Sequence, residues 1–312
     1  MLCDARGRSH VPGDSTVQFS NLGTERRSKL QGMALLLLAC LFWGVNWPVT
    51  KFLITELPPL SARALPGVIG AMLMFALAIG MGERLLPPLN QWRPLVVSSI
   101  LNYSAWMVLT TTALVWLPAS EAVIVAYTLP IWTAFLAYVL LGEIITPYRF
   151  FGIVLGLSGV AWLVLNGSHE ADSGRVPGIA LVLTASILLA LGTVLMKRNP
   201  ILMPPVASVG WQIALGTVPL LLGSLIEKPS LASVDARGWA AVMATALLAM
   251  GLGYVCWFAA LKRLPASMVA IGALLVPVIG VAASALALGE VFGPREFAAL
   301  ALTLSGVAIA SR

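Results

Sequence analysis

The sequence predicts an all-α polytopic membrane protein with ten transmembrane helices, arranged as two inverted five-helix repeats. Three observations predict this fold class. Of the 312 residues, 59% are hydrophobic and only 10% are charged, whereas a soluble domain has about 25% charged residues. Apolar stretches close to the roughly 20 residues that cross a bilayer recur along the chain. The chain also contains two similar copies of one segment, and each copy has an odd number of such stretches.

The internal repeat is clearest between residues 117–161 and 264–308, which align without a gap. Both copies begin with Leu-Pro-Ala-Ser, contain a proline at the same position (Pro130 and Pro277), continue with Leu-Gly-Glu and end in Leu-Ser-Gly-Val-Ala. Self-similarity at a fixed spacing indicates a duplicated unit. The two copies therefore account for almost the whole chain.

The ten apolar spans divide equally between the copies. They cover residues 33–54, 60–80, 94–116, 119–141, 148–165, 177–196, 205–226, 237–260, 267–288 and 294–310. Many contain Pro or Gly, which neighbouring helices tolerate within a bilayer. The predicted organisation is a disordered cytoplasmic tail (1–32), a first repeat (33–165), a linker loop (166–176) and a second repeat (177–312).

An odd number of spans in each copy determines the symmetry. A copy with five spans starts on one side of the membrane and ends on the other, so the second copy enters with the opposite orientation. Inverted repeats around a site near the bilayer midplane are the architecture of secondary transporters, because exchange of conformations between the halves alternates access to the two sides. We therefore predict a transporter that works by alternating access.

The basic residues predict the orientation, since cytoplasmic loops are enriched in Lys and Arg. With the N-terminus inside, the cytoplasmic side has Arg6, Arg8, Arg26, Arg27, Lys29, Arg84, Arg93, Arg149, Lys197, Arg198, Lys262, Arg263 and Arg312, and the outer side has Lys51, Arg63, Arg175, Lys228, Arg237 and Arg295. Both termini are then cytoplasmic. This bias also explains the net charge of +6, so the charge does not indicate nucleic acid as a partner.

The N-terminal region has an alternative interpretation as a lipoprotein signal. A basic stretch ends at Lys29 and is followed by an apolar run that contains Leu-Leu-Ala before Cys40. The run continues beyond Cys40, however, and cleavage there would remove half of a span that the repeat requires. Cys3, Cys40 and Cys256 have no paired spacing, so we expect neither a disulfide framework nor a metal site, and no motif indicates a cofactor.

Several motifs resemble one transporter family. They are Trp43-Gly44-Val45-Asn46-Trp47 with Lys51 at the end of span one, Tyr127-Thr128-Leu129-Pro130 in span four, and the two Leu-Gly-Glu sequences. Together with the duplication, they resemble the drug/metabolite transporter superfamily, specifically its EamA-type permeases, over roughly residues 33–310. The resemblance implies a multi-pass permease of the bacterial inner membrane with a cavity between the halves. The most similar members in character are bacterial exporters of aromatic and other neutral amino acids.

Polar and aromatic residues in mid-span are the candidate substrate-binding residues. They are Trp43, Asn46 and Trp47 in span one, Asn102, Tyr103 and Trp106 in span three, Trp211 and Gln212 in span seven, and Tyr254 and Trp257 in span eight. Residues three and four apart share one face of a helix. An aromatic pocket with amide and hydroxyl groups suits a substrate that is apolar at one end and polar at the other. Trp and Tyr are also ordinary membrane-interface residues, and this structural interpretation stays open.

Ionisable residues and prolines within the spans suggest coupling and gating. Glu121 and the repeat-related Lys51 and Lys197 are candidates for coupling, because ionisable groups at membrane depth are often functional. The alternative is structural, since the lysines lie near helix ends and Glu121 begins a helix. Pro130 and Pro277 each remove a backbone donor in equivalent helices. We predict that they are hinges for gating.

The two acidic residues that follow spans four and nine, Glu143 and Glu290, occupy equivalent positions at opposite faces of the membrane. They are predicted to be paired caps or gates. Span one has no acidic residue, whereas the small multidrug-resistance relatives that export quaternary cations have a Glu in the middle of it. The expected substrates are therefore small neutral or zwitterionic metabolites, in particular amino acids including aromatic ones.

Amino-acid export has three alternatives. Within the same fold, they are a drug efflux permease and an exchanger of anions or phosphorylated metabolites that uses Lys51, Arg63 and Lys197. The alternative from another class is an intramembrane enzyme, but His10 and His169 lie outside the spans and no hydrolase or P-loop motif is present. We expect no enzyme activity. The expected partners are a small-molecule substrate and the lipid bilayer, and the expected state is a monomer, with an oligomer as the alternative.

Overall fold

The computed structural model describes residues 14–166 and 174–310, and this part of the chain is helical with turns between the helices. In chain order the helices are α1 (Asp14–Glu56), α2 (Ser61–Gly80), α3 (Leu89–Ala113), α4 (Ala119–Ala126 and Leu129–Leu141), α5 (Pro147–Leu165), α6 (Arg175–Arg198), α7 (Pro205–Glu227), α8 (Ala236–Leu261), α9 (Ala266–Gly272 and Leu275–Leu288) and α10 (Pro294–Ala310). A 3₁₀ turn at Leu231–Ser233 precedes α8. The predicted linker loop falls mainly on residues 167–173, outside the described residues.

The helices have the length and surface of membrane spans. Among the described residues, nine helices are at least 18 residues long and apolar enough to cross a bilayer. The last, α10, has 17 residues, at the short end of the range that can span. Large apolar side chains face outward, for example Met72 (58% exposed), Leu222 (60%) and Val154 (51%). Such a surface fits a hydrocarbon solvent, and the predicted all-α polytopic membrane protein is confirmed. The total of ten spans stays a prediction.

The N-terminal region differs from the predicted disordered tail. Helix α1 starts at Asp14 and continues without a break through residue 32 into the first span. No proline occurs between Asp14 and residue 32, and proline is the residue that most strongly ends a helix. The polar sequence therefore extends the helix beyond the apolar segment. Residues 1–13 lie outside the described residues.

Helices α5 and α10 approach each other closely because glycines line their contact. A Cβ atom added at Gly306 would lie 2.3 Å from the backbone nitrogen of Gly156. No real side chain tolerates this distance, so the approach of the α5 backbone requires glycine at 306. A Cβ atom at Gly152 would likewise lie 2.6 Å from the carbonyl oxygen of Gly306. This small-residue packing is a common way for helices to associate in membranes.

The other main helix contacts join the first and second halves of the chain. Helix α1 packs against α8 and the second segment of α9, while α6 packs against α3 and the second segment of α4. Helix α2 packs along α7. The first helix of each half therefore contacts the third and fourth helices of the other half, and a cavity lies where these helices meet.

Two pairs of helices depart from regular geometry at equivalent positions. Helix α3 is π-helical at Ser99–Ser104 and α8 is π-helical at Thr245–Leu252. Helix α4 is interrupted just before Leu129 and α9 just before Leu275. π-Helical turns occur frequently at functional sites. All four irregular segments contribute to the walls of the cavity or border it.

Candidate functional site

A cavity of about 740 Å³ lies between the two halves. Its wall is formed by residues of α1 to α6 and of α8 to α10. Eight of the ten predicted substrate-binding residues line it, namely Trp43, Asn46, Trp47, Asn102, Tyr103, Trp106, Tyr254 and Trp257. Its volume falls within the roughly 300–1,000 Å³ of small-molecule sites.

The aromatic residues form two clusters in the wall of the cavity, and each contains one tryptophan of α1. Trp43 meets Trp257 with ring centroids 5.2 Å apart and Tyr254 edge-on at 5.6 Å. Trp47 meets Trp106 edge-on at 6.3 Å. Such ring pairs are rigid and mutually stabilising. They provide preformed apolar walls for a substrate.

The π-helical turns hold the aromatic clusters in place. The indole nitrogen of Trp43 donates a 3.0 Å hydrogen bond to the carbonyl of Ala249, which lies in the π-helical turn of α8. Tyr103 lies in the π-helical turn of α3, is 3% exposed, and has its hydroxyl 3.6 Å from the Met250 sulfur. A widened helical turn leaves carbonyls available to side chains. The π-helical turn of α8 therefore contacts aromatic side chains of both α1 and α3.

The two asparagines differ in how their amides are used. Asn102 donates to the Ser98 hydroxyl at 3.0 Å and contacts the Met196 sulfur at 3.0 Å, so its amide joins α3 to α6. The side-chain oxygens of both Asn46 and Asn102 are buried and have no hydrogen-bond partner among the described residues. A buried polar atom without a partner is unusual in a protein. Asn46 is thus available to a molecule in the cavity.

Trp211 and Gln212 lie outside the lining of the cavity. The Trp211 indole donates to the Leu85 carbonyl at 2.8 Å and contacts Phe75 and Trp92 edge-on. The Gln212 amide accepts a 2.7 Å bond from Ser98 and contacts Ser208. These contacts join α7 to α2 and α3, so the positions of both residues are those of packing residues.

One end of the cavity reaches exposed charged side chains, and we call it the Glu143 end. Glu143 forms ion pairs with Lys197 and, at 3.5 Å, with Arg149, and all three residues line the cavity. The Lys197 side chain is 66% exposed and that of Glu143 is 30% exposed. The Lys197 ammonium, with a smaller effect of Arg149, holds the pKa of Glu143 below its usual value. The cavity is open at this end.

The opposite end, the Glu290 end, is closed by a carboxylate that caps a helix. Glu290 accepts hydrogen bonds from the backbone N–H groups of Ala119 (2.7 Å) and Ser120 (2.9 Å) and from the Ser120 hydroxyl (2.6 Å). These groups start α4. A carboxylate is favoured there because the first N–H groups of a helix have no internal acceptor and the helix dipole is positive.

A buried ion cluster lies at the same closed end. Glu121, with a side chain 7% exposed, pairs with Arg175 and Arg295, each at 3.1 Å. Both arginines also donate to the Leu163 carbonyl. Glu121 is not part of the cavity lining. Its carboxylate joins α4 to α6 and α10, and its predicted coupling role stays a prediction.

The remaining coupling candidates also have defined partners. The Lys51 ammonium donates to the carbonyls of Leu114 and, at 2.9 Å, Leu117, which follow the end of α3. A cation is favourable at this position because the last carbonyls of a helix are unpaired and the dipole is negative. Lys197 forms the ion pair with Glu143 described above.

The predicted hinges coincide with the interruptions of α4 and α9. Pro130 lines the cavity, whereas Pro277 is buried in the protein behind it. The carbonyls that these prolines release find other donors: Ala126 accepts from the Ser186 hydroxyl at 3.1 Å, and Ala273 accepts from the backbone N–H of Val276 at 3.0 Å. Both breaks are therefore satisfied internally. Their movement as hinges stays a prediction.

Comparison with known proteins identifies the family of this cavity. A model of the EamA-like transporter family matches the chain twice, over residues 30–165 and 176–312. The chain belongs to the EamA-like transporter family. It is accordingly a membrane transporter of the drug/metabolite transporter superfamily, as the motifs in the sequence predicted.

Relatives of this EamA-type transporter include bacterial proteins that align with it over almost their full length. The chain is 28% identical over 286 residues to a transporter of Bacillus subtilis (strain 168), covering 90% of this chain and 92% of the relative. Two proteins named probable amino-acid metabolite efflux pumps are each 30% identical. That of Salmonella typhimurium matches over 289 residues and that of Escherichia coli (strain K12) over 287, and each match covers 88% of this chain and 93% of the relative.

A solved crystal structure has the same fold. It superimposes with a TM-score of 0.65 at 22% sequence identity, covering 89% of this chain and 96% of the solved one. At this identity the likeness concerns the fold alone.

Several residues of the EamA-type cavity were not among the substrate-binding predictions. Arg63, Tyr127, Met107 and Met250 line it, and Glu143 and Arg149 form its mouth. Arg63 appeared only among the basic residues of the outer side and in the anion alternative. The sequence carries no signal for its inward position, since the bonds from Ser61 to Glu227 that fix the first turn of α2 are visible only in the structure.

Proposed function

We propose that this EamA-type transporter exports small neutral or zwitterionic metabolites, with amino acids, including aromatic ones, as the main substrates. The cavity is the observation on which the proposal mainly depends. It combines two aromatic clusters with unpartnered polar groups, and its volume suits a molecule of amino-acid size. The names of the two efflux pumps at 30% identity support the same substrate class.

The charged residues of the cavity argue against cation efflux. Among the described residues, the lining includes one carboxylate, Glu143, and this is paired with Lys197 and Arg149 at the mouth. A cationic drug in the cavity would therefore meet no buried carboxylate. A zwitterion is better matched, because it provides both an acceptor and a donor within one neutral molecule.

The anion alternative is weakened because two of its three basic residues have protein partners. Lys51 caps the end of α3 and Lys197 pairs with Glu143. A phosphate site usually requires several basic groups that converge. Arg63 alone is buried in the cavity.

The mechanism we propose is alternating access. Glu143 and Glu290 are equivalent in sequence, yet Glu290 closes one end by capping α4 while Glu143 lies at an open mouth. With both termini in the cytoplasm, as the basic residues predict, the Glu143 end faces the cytoplasm. The structure then corresponds to an inward-open state of a protein in the bacterial inner membrane. We expect no catalytic activity.

The test is a flux panel with the full-length protein in proteoliposomes. Radiolabelled neutral amino acids, quaternary ammonium cations and organic phosphates are each offered at equal concentration, and uptake is compared with empty liposomes. Amino-acid flux that is saturable and competed by aromatic amino acids is the expected result. Flux of phosphates or cations without amino-acid flux would disprove the proposal. Reporter fusions that place the C-terminus outside the cytoplasm would disprove the orientation.

A further inference from the structure

Arg63 occupies a position that a structural arginine seldom has. It lies in the first turn of α2, is 5% exposed and lines the cavity. Its Nε donates a 2.8 Å hydrogen bond to the Thr111 hydroxyl of α3. Its Nη1 is buried and has no hydrogen-bond partner among the described residues. In the part of the chain that the structure describes, its one hydrogen bond is therefore to a neutral hydroxyl.

A guanidinium in this state is incompletely satisfied. Arginine stays charged under all physiological conditions and has five N–H donors. A buried charge without a counter-ion is strongly destabilising, so buried charges are normally paired. The ion pairs of the described residues do not include Arg63. The site is therefore short of a negative charge.

The carboxylate that contacts the start of α2 does not supply that negative charge. Glu227 of α7 accepts from the backbone of Leu60 and Ser61 and from the Ser61 hydroxyl, all within 3.0 Å. Its oxygens are thus directed to the start of α2 and neutralise the positive end of the helix dipole. Arg63 projects from the same turn but towards Thr111 and the cavity.

We propose that Arg63 binds the carboxylate of the transported amino acid, an inference that rests on the proposed function. The carboxylate would accept from the free guanidinium N–H groups, which form short, strong bonds to such planar anions. The unpartnered amide oxygen of Asn46 in the same cavity accepts from the substrate ammonium. Trp47 and Trp106 provide an apolar wall for the side chain.

This assignment gives a substrate rule. The transporter recognises the carboxylate and accepts varied side chains, so it favours α-amino acids over amines of the same shape. Hydrogen bonds to a charged group contribute enough that their loss weakens binding about 10- to 100-fold. An amine that lacks the carboxylate is expected to bind weaker by this factor.

The experiment measures binding to the purified full-length chain by quenching of its tryptophan fluorescence. The probes are L-phenylalanine, phenethylamine, which lacks the carboxylate, and glycerol 3-phosphate. Wild type, Arg63→Met and Arg63→Lys are compared. Arg237→Gln, at an exposed arginine outside the cavity, is the matched control, and circular dichroism verifies folding of each variant.

The expected result is that Arg63→Met weakens the binding of L-phenylalanine about 10- to 100-fold and leaves the affinity for phenethylamine unchanged. Arg63→Lys gives an intermediate loss, and Arg237→Gln gives none. If Arg63→Met does not fold, Thr111→Val provides the second arm: it removes the hydroxyl that accepts from the Arg63 Nε and is expected to change the ratio of the two affinities.

Three results would overturn the proposal in distinguishable ways. An unchanged ratio of L-phenylalanine to phenethylamine affinity in folded Arg63→Met would reject Arg63 as the carboxylate site while amino-acid binding itself stands. Binding of glycerol 3-phosphate but not L-phenylalanine, lost in Arg63→Met, would assign Arg63 to phosphate. Binding of none of the three probes by wild type, together with no amino-acid flux, would reject the proposed function as well.

Discussion

Replacement of Glu290 by Ala should loosen the closed end of the cavity. In the present structure this carboxylate accepts three hydrogen bonds from the start of α4, at 2.7 Å, 2.9 Å and 2.6 Å. The N–H groups of Ala119 and Ser120 have no intrahelical acceptor, because they belong to the first turn. Among the described residues, Glu290 is the acceptor for both N–H groups, so their protection from hydrogen exchange depends on this side chain.

The size of the effect follows from these contacts. Loss of a capping side chain usually destabilises a helix end by about 0.5–2 kcal/mol, and one hydrogen bond to a charged group contributes about 1.5–3 kcal/mol. The three bonds share a single carboxylate and its desolvation, so they do not add fully. We expect the joint loss of the three bonds to lower the free energy of local opening at the start of α4 by about 2 kcal/mol. This corresponds to a roughly 30-fold larger population in which this helix start is open.

Hydrogen exchange of the two amides is the direct assay. The purified protein in lipid nanodiscs is labelled with deuterium, and overlapping peptides that contain Ala119 and Ser120 are analysed by mass spectrometry. Exchange there should be about 30-fold faster in Glu290→Ala. Glu227→Ala is the matched control, since Glu227 makes the same kind of cap at the start of α2. It should accelerate exchange at Leu60 and leave α4 unchanged.

Two results would refute the role of Glu290 at the closed end. If exchange at the start of α4 is the same in Glu290→Ala and wild type, the capping bonds do not hold this end closed. If Glu227→Ala accelerates exchange in α4 as much as Glu290→Ala does, the effect reports general destabilisation. Either result would remove Glu290 as a gate.

Three further predictions concern the mouth, the walls and the break in α4. Lys197→Met should raise the pKa of Glu143, because the ammonium is the main group that lowers it; ¹³C NMR titration measures this shift. Since the folded-state pKa lies below the usual value, the stabilisation from this pair is present above the usual pKa and is lost as the pH falls through the lowered value. Trp106→Ala should lower transport at least about 10-fold by removing an apolar wall, whereas Trp211→Ala, outside the cavity, should reduce thermal stability and leave the flux per folded molecule unchanged. Pro130→Ala should straighten α4 and reduce turnover while binding persists, as judged by flux and binding together; unchanged flux would place the hinge elsewhere.

Much of the fold was predictable because the bilayer restricts the solutions. A spanning helix must be apolar over a fixed length, so the predicted spans agree with the helices to within a few residues apart from α1 and the start of α3. The interruptions before Leu129 and Leu275 also have a sequence signal, the prolines that follow them. The π-helical turns have no such signal, since their residues are compatible with a regular helix.

The site was less predictable because it depends on which face of each helix meets its neighbours. Trp43 and Trp211 look alike in sequence, as aromatic residues in mid-span. Trp43 faces the cavity since α1 packs against α8, whereas Trp211 meets Phe75 and Trp92. Arg63 was placed on the outer side by its position in the chain, and its burial results from the packing of α2 against α3 and α7.

The two equivalent Leu-Gly-Glu ends show that tertiary arrangement, rather than local sequence, determines the partners of Glu143 and Glu290. Helices α4 and α9 both end at a glycine in the left-handed region, Gly142 at φ 69° and Gly289 at φ 66°, so Glu143 and Glu290 leave their helices in the same way. Only glycine adopts this conformation without strain. One carboxylate nevertheless caps a helix of the other half while the other pairs with basic side chains at the mouth. Under alternating access the same local structure must be compatible with both arrangements, and we infer that Glu143 exchanges its basic partners for a helix start when the mouth closes.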